Sequence, residues 1–258
     1  MIVSLSAGIL SWGFADRIEA DHSILYGIFV FFGTLSVYNL QRLFKVSQAS
    51  ILTPWLAWVK ENRKLVITIS VLSCGATLTA LWLIYPDEVL SIAVLTVAGV
   101  FGLFYVVRIK GKNLRAIPFF KIHAISITWS LLIAVFPLIN EGDVDMVLPV
   151  FLAHYIYTLA VTIPFDIRDL KYDDITYKTI PQMLGVNGAK WLALLLLAGY
   201  IVLMYFVYPE LIFSPWFWTV MLVTAGLVMA VNEKVSDWYC AGLIDGSIGL
   251  LGLVYLLA

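Results

Sequence analysis

Three aspartates in the second half of the chain have the spacing of a charged helix face. Asp166, Asp169 and Asp173 stand at positions i, i+3 and i+7, which lie on one side of an α-helix. Three like charges on one stripe repel each other unless a cation neutralises them. Mg²⁺ suits such a cluster, because it often bridges protein carboxylates to substrate phosphates. The spacing by itself indicates either a Mg²⁺ and phosphate site or a solvated helix end in a polar loop.

Basic side chains near the end of an earlier apolar stretch offer a second way to hold phosphate. Tyr38, Arg42 and Lys45 fall within one narrow face of a predicted helix. Arginine presents a fork of N–H donors that matches phosphate oxygens, and lysine presents a compact positive charge. The alternative is topological, because basic residues also collect at the cytoplasmic ends of membrane helices.

These charged groups stand in an apolar chain. Of its 258 residues, 62% are hydrophobic and 13% are charged, and the mean hydropathy is +0.95. Soluble domains contain about 25% charged residues, so a soluble protein of this size could not cover so much apolar surface. The net charge of −1 does not favour nucleic-acid binding. We predict a single transmembrane domain over residues 1–258, with the lipid bilayer as its surroundings.

The apolar stretches predict an all-α fold, a multi-pass transmembrane helical bundle. About 20 apolar residues are needed to cross roughly 30 Å of hydrocarbon. Nine stretches reach or approach that length, at residues 1–15, 23–44, 65–85, 89–107, 117–139, 146–165, 190–212, 215–231 and 239–258. Between the second and third, Thr53 is a predicted N-cap and Pro54 the first residue of a short helix near the cytoplasmic surface.

The distribution of basic residues orients these spans. All but one of the 16 lysines and arginines fall in alternate loops, and the exception is Arg17. The positive-inside rule therefore predicts a cytoplasmic N-terminus and an outside C-terminus, in the inner or plasma membrane if the protein is bacterial. The aspartate cluster and the basic end of the second span then lie on the same, cytoplasmic side.

Several residues inside the predicted spans have a structural and a functional interpretation. Pro164 predicts a kink or a helix end just before the aspartates. His154, about 18 Å deeper along that helix, would either meet an acceptor headgroup or bond a neighbouring helix. Asp245 is a functional candidate as an intramembrane acid, although Tyr255, Ser247 or another helix could satisfy it. Glycines of the last span indicate close helix packing; they are Gly242, Gly246, Gly249 and Gly252.

A second motif follows the aspartates at a short distance. Residues 178–185 read Lys-Thr-Ile-Pro-Gln-Met-Leu-Gly. The aspartate pattern with this run resembles the second aspartate-rich motif of the UbiA superfamily of intramembrane prenyltransferases. Members have nine transmembrane helices and move an isoprenoid chain from its diphosphate to an aromatic or other lipophilic acceptor. The resemblance implies that Asp166, Asp169 and Asp173 are catalytic and hold Mg²⁺ and the diphosphate.

Another segment resembles the connection between the fourth and fifth helices of some members. It runs from Leu114 to Lys121 and leads into Trp129, and Tyr105 and Arg108 precede it. The resemblance implies a prenyl diphosphate donor and a lipophilic acceptor as binding partners. It indicates no protein partner. The resemblance implies that the donor is also bound by Asn39, Arg42, Arg108, Arg115 and Lys121.

The first aspartate-rich motif of the family is altered in this chain. Active members carry Asn-Asp-x-x-Asp-x-x-x-Asp at the end of the second helix. Here Asn39 is present, but Leu40, Leu43 and Ser47 stand where the three aspartates would be. One explanation is a prenyltransferase in which one Mg²⁺ or basic side chains suffice. The other is a non-catalytic relative that binds a phosphorylated or prenylated lipid. A transporter is disfavoured, because transporters place their sites near the midplane.

Overall fold

The computed structural model describes residues 1–48, 54–86, 88–106, 120–171 and 177–257. All regular elements in these ranges are helical, which confirms the all-α class. Two π-helical stretches occur: Leu131–Val135 joins α6 to α7, and Tyr239–Ile244 leads into α12. The helices are α1 Ile2–Arg17, α2 Ser23–Gln48, α3 Pro54–Glu61, α4 Arg63–Ile84, α5 Val89–Val106, α6 Phe120–Ser130, α7 Phe136–Asn140, α8 Val147–Asp169, α9 Ile180–Val207, α10 Pro209–Phe213, α11 Pro215–Ala230 and α12 Asp245–Leu257.

Six of the described helices are long and apolar enough to cross a membrane. They are α2, α4, the continuous α6–α7 segment, α8, α9 and the segment Tyr239–Leu257. The apolar helices Val89–Gly102 and Pro215–Ala230 are shorter, and α1 has 16 residues. The chain is thus an integral membrane protein in fold, and the total of nine spans stays a prediction. Pro54 begins α3, as expected from its fixed φ angle.

Helix α1 lies between α2 and α12 at very short range. A Cβ atom on Gly13 would overlap the backbone of Gly252, and a Cβ on Gly252 would overlap the α1 backbone in return. A Cβ on Gly249 would lie 3.1 Å from a serine Oγ of α1. Close packing is therefore confirmed for two of the four glycines of the last span. Gly242 faces a tryptophan of its own segment, and Gly246 has open space beside it.

Polar contacts separate into two ends of the bundle. At one end, where α2 begins and α7 ends, Tyr26 donates a hydrogen bond to Glu141 at 2.8 Å. Arg17, at the end of α1, pairs with Glu210. Lys121 and Asp166 meet at the opposite end, where α6 begins and α8 ends. These two polar ends agree with the predicted alternation of loops that are rich and poor in basic residues. That the end with Lys121 and Asp166 faces the cytoplasm stays a prediction.

The seventh apolar segment begins earlier than the sequence predicted. Helix α9 starts at Ile180, ten residues before the expected position 190, and ends at Val207. The side chain of Gln182 accepts a hydrogen bond from the N–H of Thr179 at 2.9 Å, and Pro181 fits the first turn. Gly185 then adopts φ +69°, outside the helical region. These local signals start a short helical segment, which a kink at Gly185 separates from the apolar part of α9.

Helix α8 does not end at Pro164, so a helix end at this residue is wrong, while a kink there stays a prediction. The helix continues for five residues, as far as Asp169. Proline removes one backbone hydrogen bond, but Ile163 and Ile167 on either side of it are fully buried. Their packing holds the helix together across the missing bond. Asp166 and Asp169 therefore lie in the last turn of a regular helix rather than in a loop.

Candidate functional site

The structure brings together two predicted site residues from different spans. The Nζ atom of Lys121 on α6 donates a hydrogen bond to Oδ1 of Asp166 on α8 at 2.6 Å. The Asp166 side chain is 2% exposed and that of Lys121 is 12% exposed. The contact arises because the first turn of α6 faces the last turn of α8. A buried carboxylate is costly without a partner, and Lys121 supplies a compensating charge.

A second ion pair holds Asp169. The Nε atom of Arg168 donates a hydrogen bond to Oδ1 of Asp169 at 2.8 Å. The same guanidinium lies 3.5 Å from the exposed carboxylate of Asp237 and 5.4 Å from the ring centroid of Phe165. Arg168 was absent from the predicted site. The position of Arg168 between two motif aspartates could have identified it as a site residue, because a charge at a buried helix end needs a partner.

The two predicted residues on α2 also contact each other. Nη1 of Arg42 donates a long hydrogen bond to Oδ1 of Asn39 at 3.4 Å. Asn39 is 7% exposed, and Arg42 is half-buried. Helix α2 therefore offers an amide and a guanidinium near its C-terminal end. Three other predicted site residues lie outside the described part of the chain; they are Arg108, Arg115 and Asp173.

The described residues alone do not make up the Mg²⁺ site that the motif implies. Asp166 and Asp169 each pair with a basic side chain of the chain itself. Mg²⁺ at Asp166 would have to displace or share the carboxylate with the Lys121 ammonium. In the described ranges, no three His, Cys, Asp or Glu side chains are grouped as metal ligands. The metal site over all three aspartates, which includes Asp173, stays a prediction.

His154 belongs to a buried hydrogen-bonded cluster of three helices. Its Nδ1 lies 3.0 Å from the carbonyl of Val150, one turn earlier. Its Nε2 lies 3.3 Å from the hydroxyl of Tyr255 on α12, which lies 2.9 Å from the hydroxyl of Tyr200 on α9. All three side chains are at most 2% exposed. Of the two interpretations of His154, the bond to a neighbouring helix is the one the geometry supports.

Asp245 lies at the junction of the second π-helical stretch and α12, and it is 5% exposed. The two partners considered for it are engaged elsewhere. Ser247 donates to the carbonyl of Ile244 at 2.8 Å, and Tyr255 belongs to the histidine cluster. Two positive charges act on the carboxyl group of Asp245, first the α-amino group of Met1 and then the guanidinium of Arg168.

A histidine–tyrosine pair that the sequence did not predict joins α6 to α8. Nδ1 of His123 on α6 lies 2.5 Å from the hydroxyl of Tyr155 on α8, and the two rings are stacked at 6.1 Å. Both side chains are partly exposed. His123 follows Lys121 by two residues, but nothing in the local sequence indicates a tyrosine 32 positions away.

Comparison with known proteins gives matches among solved structures. No family model and no curated protein matches the chain. A UbiA homolog from Archaeoglobus fulgidus bound to GPP and Mg²⁺ aligns with a TM-score of 0.66 and 14% identity, over 99% of this chain and 97% of that one. The apo UbiA homolog from Aeropyrum pernix K1 gives 0.65 and 13%, over 98% and 94%. A structure of digeranylgeranylglyceryl phosphate synthase gives 0.61 and 16%, over 99% and 92%.

Each alignment covers almost all of this chain and of the matched chain, so the likeness concerns the whole helical bundle rather than one pair of helices. Identities of 16% or less show a common fold and leave substrate and activity to other arguments. The helices that carry Asp166, Asp169 and Lys121 belong to the aligned region, because nearly all of the chain is covered. The chain therefore has the fold of the UbiA superfamily over its whole length, which confirms the resemblance inferred from its second aspartate motif.

Proposed function

We propose that this chain is a membrane prenyltransferase of the UbiA type, which moves an isoprenoid chain from its diphosphate to an aromatic or other lipophilic acceptor. The observation that carries the proposal is the contact between Lys121 and Asp166, at 2.6 Å. In a bundle with the UbiA fold, this contact supports the proposal, because Asp166 of the motif and the partly buried ammonium of Lys121 meet at one end of apolar helices. An amphipathic diphosphate with an apolar tail suits such a site.

The chemistry follows from the separation of charge and apolar surface. The bond between C1 of the isoprenoid and the diphosphate oxygen breaks, and the electron pair leaves with the diphosphate. Lys121 and Arg42 stabilise the negative charge that develops there. The apolar bundle shields the allylic cation from water. The acceptor oxygen or ring carbon forms the new bond to C1, and the proton that it loses passes to the released diphosphate.

The remaining predicted residues have roles by resemblance. Asn39, Arg108 and Arg115 would contact the diphosphate with Lys121 and Arg42, and the three aspartates would hold Mg²⁺. When bound, Mg²⁺ supplies charge neutralisation to the leaving group. The chain's own contribution is to bind and orient the donor and to exclude water from the reacting carbon.

A second candidate is a non-catalytic relative that binds a phosphorylated or prenylated lipid. Two observations favour it. Leu40, Leu43 and Ser47 remove all three carboxylates of the first motif. Asp166 and Asp169 also pair with the chain's own cations. Loss of a metal removes several kcal/mol of leaving-group stabilisation, so binding could persist where transfer does not.

One incubation separates the two candidates. Purified protein in lipid nanodiscs is given radiolabelled geranylgeranyl diphosphate with Mg²⁺ and a set of lipophilic acceptors, and free diphosphate and organic-extractable product are both counted. A prenyltransferase releases the two in equal amounts. Asp169→Ala/Asp173→Ala should lower both by more than tenfold. The matched control, Glu61→Ala/Glu233→Ala, removes two exposed carboxylates elsewhere and should leave the rate unchanged.

Other outcomes of the incubation are also decisive. Saturable donor binding without product, over the whole acceptor set, would favour the non-catalytic lipid-binding protein. Product formation that survives the double aspartate substitution would contradict the assignment of the site. Neither binding nor product would reject both candidates and leave only the fold.

A further inference from the structure

Asp245 is an acid inside the last span, apart from the aspartate motif. Its side chain is 5% exposed, and the segment Tyr239–Leu257 that carries it is long and apolar enough to cross a membrane. A carboxyl group is costly in such a segment, so intramembrane acids are functional candidates. Neither the proposed donor contacts nor the proposed Mg²⁺ ligands include Asp245.

The π-helical stretch before Asp245 determines which way this residue faces. The backbone N–H of Asp245 bonds to the carbonyl of Cys240, five residues earlier, so Asp245 follows Cys240 by one wide turn on the same side of the segment. The Cys240 side chain is fully buried, and its thiol lies 3.8 Å from the carbonyl oxygen of Pro164 on α8. Asp245 is therefore on the side that faces α8. Such π-helical turns occur frequently at functional sites.

The carboxyl group of Asp245 lies near positive charge without forming an ion pair. Its charge interacts with the α-amino group of Met1 and with the guanidinium of Arg168. That guanidinium is directed at two other carboxylates, Asp169 at 2.8 Å and Asp237 at 3.5 Å. In the described ranges, no side chain donates a hydrogen bond to the Asp245 oxygens. The carboxyl group therefore keeps its capacity to accept one.

Space for an apolar molecule lies next to this carboxyl group. Gly246 is the following residue, and the position that its Cβ would take has no neighbouring side chain or helix within 4 Å. Gly246 is also partly exposed, whereas Ile244 and Ile248 on either side are buried. A lipophilic molecule can therefore lie along this turn and direct one polar group at Asp245.

We propose that Asp245 binds the acceptor of the prenyl transfer, and that this acceptor is a lipophile with a hydroxyl group. A carboxyl oxygen of Asp245 accepts the hydrogen bond that the hydroxyl donates. The lone pairs of the acceptor oxygen then stay available to form the bond to C1 of the isoprenoid. Hydrogen bonds to an ionised group are roughly twice as strong as neutral ones. The inference rests on the proposed function, because it names the acceptor class of the same reaction.

The test compares two probes that differ in a single group. Tritiated 4-octylphenol carries a hydroxyl group, and tritiated 4-octylanisole carries a methoxy group in its place. Each is titrated onto the wild-type protein in lipid nanodiscs with saturating geranylgeranyl thiolodiphosphate, a slowly reacting donor analogue. Empty nanodiscs correct for partition into lipid. A site that bonds a hydroxyl rejects an analogue without it, so the phenol should bind at least about tenfold more tightly than the anisole.

Three variants assign this preference to Asp245. Asp245→Leu should weaken phenol binding at least about tenfold and leave anisole binding within about threefold of the wild type. Gly246→Leu fills the space beside the carboxyl group and should weaken the binding of both probes. Asp145→Leu, at an exposed acid before α8, is the matched control and should keep the preference. All three should bind the donor analogue like the wild type, which shows that they are folded.

The outcomes separate this inference from the proposed function. Equal affinity of the wild type for the two probes, or binding of neither, would overturn the inference when the donor analogue binds, and the proposed function would stand. A preference for the phenol that survives in Asp245→Leu would assign the hydroxyl to another residue and would also overturn it. If the wild type does not bind the donor analogue, the proposed function fails and the acceptor role of Asp245 fails with it.

Discussion

Lys121 and Asp166 lie 45 positions apart in the sequence, and their charged groups lie 2.6 Å apart at the end of the bundle. The pair ties the start of α6 to the end of α8. Removal of one partner from a buried pair typically costs about 3–5 kcal/mol, because the other charge stays buried, whereas replacing both by apolar residues costs much less. The pair should therefore behave as one unit in mutagenesis.

We predict that Lys121→Met lowers the free energy of unfolding more than Lys121→Met/Asp166→Leu does. The single variant leaves a buried carboxylate without its lysine, and the double variant removes both charges. Denaturant unfolding in detergent micelles is followed by tryptophan fluorescence. It measures the free energy of unfolding of Lys121→Met, of Asp166→Leu and of the double variant, each relative to the wild type. A coupling energy of about 1–3 kcal/mol is expected for residues in contact. Purely additive effects would contradict the pairing.

The contact between α1 and α12 gives a second prediction. Gly252→Ala should lower the thermal midpoint by several degrees, because its methyl group would meet the α1 backbone within van der Waals distance. The α1 backbone cannot move away from this methyl group by a bond rotation, as a side chain could. Gly246→Ala on the same helix is the matched control, since open space surrounds that position. Equal midpoints for the two variants, measured by thermal unfolding in detergent, would contradict the close packing.

The tyrosine cluster around His154 gives a third prediction. Tyr255→Phe should destabilise the protein by about 1–3 kcal/mol, because it removes a hydroxyl that contacts His154 and Tyr200 and leaves buried polar atoms without that partner. Tyr205→Phe on α9 is the control, since the Tyr205 side chain is 52% exposed. That change should be close to neutral. A loss in Tyr205→Phe that equals or exceeds the loss in Tyr255→Phe, by denaturant unfolding, would contradict the assignment.

The pair of Arg17 and Glu210 predicts a small dependence of stability on pH. Partial desolvation raises the pKa of Glu210, but its own backbone N–H and Arg17 outweigh that effect and hold the pKa below 4.5. A lowered carboxyl pKa means stability that is present above about pH 4.5 and is lost as the pH falls through the lowered value. The loss should not exceed about 1 kcal/mol, because the pair is exposed to solvent.

The measurement compares the wild type with Glu210→Gln at pH 7 and near pH 3. The wild type should be the more stable at pH 7, and the difference should shrink at the lower pH. Glu233→Gln, at an exposed acid elsewhere, controls for the general effect of acid. A difference that grows as the pH falls would contradict the sign of the linkage.

Much of the candidate site could be proposed from the sequence, because its residues stand in short motifs. The spacing of Asp166 and Asp169, the basic end of α2 and the run after the aspartates pointed to one end of a UbiA-like bundle. The pairing of these residues could not be read in the same way. Lys121 and Asp166 meet only because α6 and α8 pack with their ends together, and Arg168 was overlooked because its role depends on burial.

The sequence by itself determined that the chain is helical and membrane-embedded. The mean hydropathy of a segment is an average over neighbouring residues, so it does not depend on residues that are distant in the sequence. It also determined where α3 begins, since Pro54 acts through its own backbone geometry. Only the tertiary structure decided that α8 continues past Pro164 and that Gly252 meets α1. It alone decided that each described motif aspartate has a basic partner. Those outcomes depend on distances between helices, which packing sets and which no local pattern encodes.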